Sequence, residues 1–119
     1  MDTGTADYKV QGALTENYNT SQATTVKGNI DIKSTAEILV EAAEKITLHT
    51  GASKLTMAKD GSISLEGVNV TINGSTMTTV KGGIVHSEAA SEHQTKGKIV
   101  LSEGEATNTV KGGMVMLNP

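Results

Sequence analysis

The sequence predicts an all-β fold of an uncommon kind, a β-helix in which several identical chains wind around one shared axis. Three observations predict it. Apolar and polar residues alternate with period two over long stretches, the signature of strand with one dry and one wet face. Large rings are nearly missing, with no Phe, no Trp and only Tyr8 and Tyr18, so a thick single-chain core has little to fill it. Thr is the commonest residue and the one proline is Pro119, which leaves a β-branched chain whose other backbone N–H groups are free to join a ladder.

The alternation starts at Val10. Even positions from 10 to 52 carry Val10, Leu14, Tyr18, Val26, Ile30, Ile32, Ile38, Val40, Ile46 and Leu48. Between them the odd positions carry Lys27, Asp31, Lys33, Glu37, Glu41 and Lys45. A single extended strand of that length would reach on the order of 140 Å, far beyond the usual 3–10 residues of a globular strand. The phase therefore has to survive while the chain bends gently around an axis. It flips afterwards: Leu55, Met57, Ile63 and Leu65 are odd, Val68 to Ile84 even, Ala89 to Leu101 odd, and Val110 to Met116 even. Glycine marks three flips, at Gly51, Gly67 and Gly104, and nothing marks the one near Val85. Asp60-Gly61 is a turn signal that either joins two strands or redirects a winding one. One competitor exists: "STAEILVEAAEKITLH", residues 34–49, also fits an amphipathic helix, with Ala36, Leu39, Val40 and Ala43 on one face. The unbroken phase on both sides favours strand.

A short motif returns three times: "TTVKGNI" from Thr24, "TTVKGGIV" from Thr78 and "NTVKGGMV" from Asn108. The copies follow no single fixed interval, so a one-chain solenoid of regular coils is not indicated. A narrow axis shared by several chains explains the pattern better. Gly28, Gly82 and Gly112 then let the backbone approach the axis, Val26, Val80 and Val110 fill the space beside them, and the lysine between points to water.

Composition narrows the function. A net charge of −3 argues against a nucleic-acid partner. With Cys 0 there are no disulfides or thiolate metal sites. No stretch reaches the roughly 18 apolar residues of a spanning helix. No Ser-His-Asp grouping, phosphate loop or carboxylate pair beside aromatic platforms stands out, so no enzyme activity and no cofactor are expected. His49, His86 and His93 could each gather with their copies in identical chains around a metal, but solvated histidines are the simpler reading and no metal is expected. Glu16 and Glu44 fall on inward positions, where repeated carboxylates need water or an ion unless the phase is misread. Asn19, Asn69 and Asn73 begin Asn-x-Ser/Thr triplets that a threonine-rich chain makes by chance.

The run "TTVKGNIDIKSTAEILVEAAEKITLHTGASKLTMAKDGSISLEGVNVTING", residues 24–74, resembles the C-terminal needle of VgrG, the valine-glycine repeat protein of bacterial type VI secretion. Val-x-Gly with Lys-Ile-Thr-Leu, Asp60-Gly61 and "VTING" in this order carries the likeness, which extends over residues 10–119. The resemblance implies an intertwined homotrimeric, triple-stranded β-helix, a triangular prism similar to the central spike of contractile phage tails. It implies a secreted, non-catalytic needle that helps pierce target-cell envelopes and passes transiently through a membrane. It also implies a PAAR-repeat tip protein and effectors on its C-terminal end, and attachment to the secretion tube through an N-terminal hub that these residues do not include. On this reading residues 1–9 are a lead, 10–113 the needle and 114–119 the tip, with no enzymatic extension expected after Pro119. Met114, Val115, Met116, Leu117, Asn118 and Pro119 are the expected docking residues, since three copies present a flexible apolar disc; the plainer reading is that Met114 and Met116 plug the last rung. Two other readings stay open, a trimeric phage spike or fibre needle and a monomeric β-solenoid enzyme acting on polysaccharide.

Overall fold

The computed structural model describes residues 4–118. Among them there is no helix, and the regular structure is all β. The chain divides into two units, Met1–Val68 and Asn69–Pro119.

The first unit holds a three-stranded antiparallel sheet in the order β1-β2-β3, made of β1 (Lys45–Thr50), β2 (Ser53–Ala58) and β3 (Ile63–Glu66). Each strand alternates apolar with polar, and each connection has its own turn chemistry. Gly51 opens the two-residue loop after β1 with φ 53°, the left-handed value such tight hairpins require. Asp60-Gly61 does join two strands: Gly61 has φ 93° and donates its N–H to the Ala58 carbonyl at 3.1 Å. Ala58 N–H reaches the Ser62 carbonyl at 3.0 Å, and the Asp60 carboxylate accepts from Ser62 N–H at 3.0 Å. No helix forms over 34–49: its last residues are β1, and the backbone bends at 35–36 and 43–44. Cross-strand pairing gives Ile46 and Leu48 apolar partners, which outweighs the helix preference of Ala and Glu.

The Ser62 N–H holds the Asp60 carboxyl below its ordinary pKa. A depressed carboxylate contributes stability that is present above its unfolded pKa and is lost as pH falls through the folded one. The β2–β3 turn is therefore expected to loosen below about pH 4. Asp60→Asn, which keeps an acceptor oxygen, should flatten that acid dependence in amide exchange of residues 58–63.

Before the sheet, bends fall at 11–12, 19–20, 27–28, 35–36 and 43–44, one every eight residues. The expected gentle curvature is thus a series of sharp corners. An even spacing returns each side chain to the same face, so the corners leave no mark on the alternation. This is why the phase persists from Val10 onward without turn residues to announce it.

In the second unit the bends fall at 75–76, 83–84, 90–91, 98–99, 105–106 and 113–114, with seven and eight residues alternating. That frame exposes a fifteen-residue repeat: "GVNVTINGSTMTTVK" from Gly67, "GGIVHSEAASEHQTK" from Gly82 and "GKIVLSEGEATNTVK" from Gly97, with a fourth beginning at Gly112. An odd repeat reverses the side-chain phase at each copy, which explains the unmarked flip near Val85. The last two Val-Lys-Gly copies are two such repeats apart, so a fixed period does exist here, contrary to the expectation of none. At Gly74 and Gly104 a Cβ would overlap the carbonyl oxygens of Met77 and Thr107, so only glycine fits these two corners.

No described residue is buried. The chain exposes 13104 Å², whereas a compact monomer of 12.3 kDa exposes about 6,100 Å². Apart from Thr5, the backbone–backbone hydrogen bonds of the described residues run between Glu44 and Glu66. Elsewhere among the described residues, side chains reach the backbone at Ala36 N–H, from Ser34, and at the Ser102 carbonyl, from Asn108, and no ladder forms, which leaves strand edges open to another chain.

Candidate functional site

The strongest candidate surface is one face of the sheet. Register sets Ile46 opposite Met57 and Met57 opposite Ile63; it likewise sets Leu48, Leu55 and Leu65 in a second row. Two apolar rows of three thus lie side by side with only solvent over them. Leu48 is 61% exposed, Ile63 72% and Leu65 59%. Lys45, Thr47, His49, Lys54, Thr56, Ser64 and Glu66 take the other face, as strand alternation requires. Sequence reading found these apolar residues but not their meeting. The tight turns at Gly51 and Asp60-Gly61 were the signals that stack them.

The C-terminal segment is the second candidate. Met114 is 79% and Leu117 84% exposed, with Val115 and Met116 also uncovered. Asn118 has φ 49°, the left-handed region that asparagine tolerates, and Pro119 lies outside the described residues. A bend at Gly113-Met114 separates this run from the last full repeat.

The three Val-Lys-Gly copies are not equivalent. Lys27-Gly28 is itself a bend, whereas Gly82 and Gly112 stand one residue before theirs. A Cβ on Gly28 meets open space; on Gly82 or Gly112 it comes within 3.2 or 3.1 Å of a carbonyl oxygen two residues on. Val26, Val80 and Val110 are all exposed in the single chain, so a shared rung for the three is not formed within it.

Two of the three histidines take local partners. His49 lies on the polar face, with Nε2 2.9 Å from the Gly51 carbonyl, and His93 Nε2 is 2.7 Å from Ser87 Oγ. No group of three or more potential metal ligands is gathered among the described residues. Glu16 accepts a 3.0 Å bond from the Tyr18 hydroxyl, and that bond, then the carboxylate's charge, raises the Tyr18 pKa. Glu44 lies at the bend 43–44 and pairs with Lys59 Nζ at 3.0 Å; Lys59 N–H also donates to the Glu44 carbonyl at 3.0 Å, so the pair continues the β1–β2 register past Lys45 and Ala58, on the face of Ile46 and Met57.

No protein-family model matches the chain, and no curated protein or solved structure matches it either. No helix among the described residues is long and apolar enough to cross a membrane.

Proposed function

We propose that the chain is one strand of a homotrimeric, triple-stranded β-helical needle with a mechanical, non-catalytic role. The observation that carries this is the missing interior: an ordered pattern of strands and corners with nothing buried. Relative to a compact monomer it leaves roughly 7,000 Å² per chain uncovered, more than the largest obligate interfaces usually bury. Identical copies that each supply one face resolve this. The sheet rows, the regular corners and the scarcity of rings all suit a thin shared axis.

Residues 24–74 and their likeness to the VgrG needle point the role toward type VI secretion. There the trimer would be exported from the bacterial cytoplasm, stiffen the spike that pierces a target envelope, and carry a PAAR-repeat tip protein and effectors on residues 114–119. Three chains unfolding only together resist fraying under load. A single-chain polysaccharide-acting solenoid is disfavoured because the fifteen-residue repeat forms no strand ladder within the chain. The reading is tested by unfolding at several protein concentrations. A trimer's midpoint rises with concentration; a sharp midpoint that ignores concentration overturns it.

A further inference from the structure

We infer that the second unit carries a charge code fixing how copies of the chain sit against one another: each segment lies beside the next segment of a neighbouring copy. The inference rests on the three-chain reading. Five residues stand two positions before successive bends, Lys81, Glu88, Lys96, Glu103 and Lys111. They occupy one geometric position in consecutive segments, and their signs alternate without exception. Among the described residues the ion pair is Lys59–Glu44, so none of the five pairs within the chain.

Such a chain can stack in several ways. Coiling on itself with one repeat per turn sets Lys81 beside Lys96 and Lys96 beside Lys111, with Glu88 beside Glu103. Copies side by side in register set every charge against itself. Both put like charges on adjacent strands, which is destabilising. Copies displaced by one bend-to-bend segment set Lys81 beside a neighbour's Glu88, Glu88 beside Lys96, Lys96 beside Glu103 and Glu103 beside Lys111. Any displacement by an odd number of segments turns every contact favourable, and one segment is the smallest; a single chain coiled three segments per turn, which would set Lys81 beside Glu103, forms no ladder among the described residues. Threefold winding generates the one-segment displacement naturally, because each chain passes to the next face as its neighbour leaves it. Exposed pairs are individually weak; their effect here is selection, since slipping the register converts all of them to repulsion together. Asn73 holds the same position before the bend at 75–76, a neutral residue ahead of the five charges.

Paired cysteines in the full chain test this. Adjacent strands lie about 4.8 Å apart, within disulfide reach. Lys81→Cys with Glu88→Cys should oxidise to a closed covalent trimer on a non-reducing gel. Lys81→Cys with Lys96→Cys, and Lys81→Cys alone, should not link. Linking by either control, or none by the first pair, overturns the displacement. Wild-type mass separates the two claims: a trimer that fails to link at 81 and 88 sinks the register alone, and a monomer sinks both. A second set avoids cysteine. Changing Lys81, Lys96 and Lys111 to Glu should lower the unfolding midpoint, and adding Glu88→Lys and Glu103→Lys should restore it. A fivefold inversion no more stable than the triple change contradicts the ladder.

Discussion

Leu55→Asp is expected to break the assembly into single 12.3 kDa chains. Leu55 is the middle of the second sheet row, between Leu48 and Leu65, and is already half-buried in one chain. In the proposed trimer three such rows face one another, so one substitution enters the interior three times. Each copy loses the burial of a leucine, about 1.5–3 kcal/mol, and adds a buried unpaired carboxylate costing several kcal/mol more. The three carboxylates also repel one another. Sedimentation should show the loss of the trimer, while Thr56→Asp on the opposite face should leave it intact. Equal tolerance of both substitutions contradicts the assignment of the faces.

Deleting residues 114–119 is expected to abolish capture of a PAAR-repeat protein while leaving the trimer assembled. The run Met114 to Leu117 is exposed in the chain and lies beyond the last complete repeat. Burying even two of these side chains per copy against a partner contributes several kcal/mol, so affinity should fall by at least about 1,000-fold. Titration of the partner onto full-length and shortened trimers measures it. If binding survives and the unfolding midpoint drops instead, Met114 and Met116 plug the last rung and the docking surface lies elsewhere.

Much of this was legible in the residues. The alternation from Val10 favoured strand over helix for 34–49, where no helix forms and β1 begins at Lys45, and the shortage of rings predicted that one chain would build no core. Asp60-Gly61 was read as a turn and Gly51 as the mark of a phase flip, and both are hairpin turns. The corners were not legible. Eight-residue spacing preserves parity, so Lys27-Gly28 and Thr35-Ala36 look like ordinary strand. The fifteen-residue repeat was hidden for the opposite reason: its odd length reverses phase at every copy, and Val80 and Val110 suggested an irregular motif where Lys81, Lys96 and Lys111 keep strict time. Among the candidate docking residues, exposure was readable from composition, but what covers them depends on a second molecule that a single sequence does not name.

Light scattering on the purified chain at neutral pH tests the central claim most directly. In the proposed assembly two further copies cover the apolar rows of 45–66, so the measured mass should be about 37 kDa for chains of 12.3 kDa. A stable, cooperatively folded species of 12.3 kDa would contradict it.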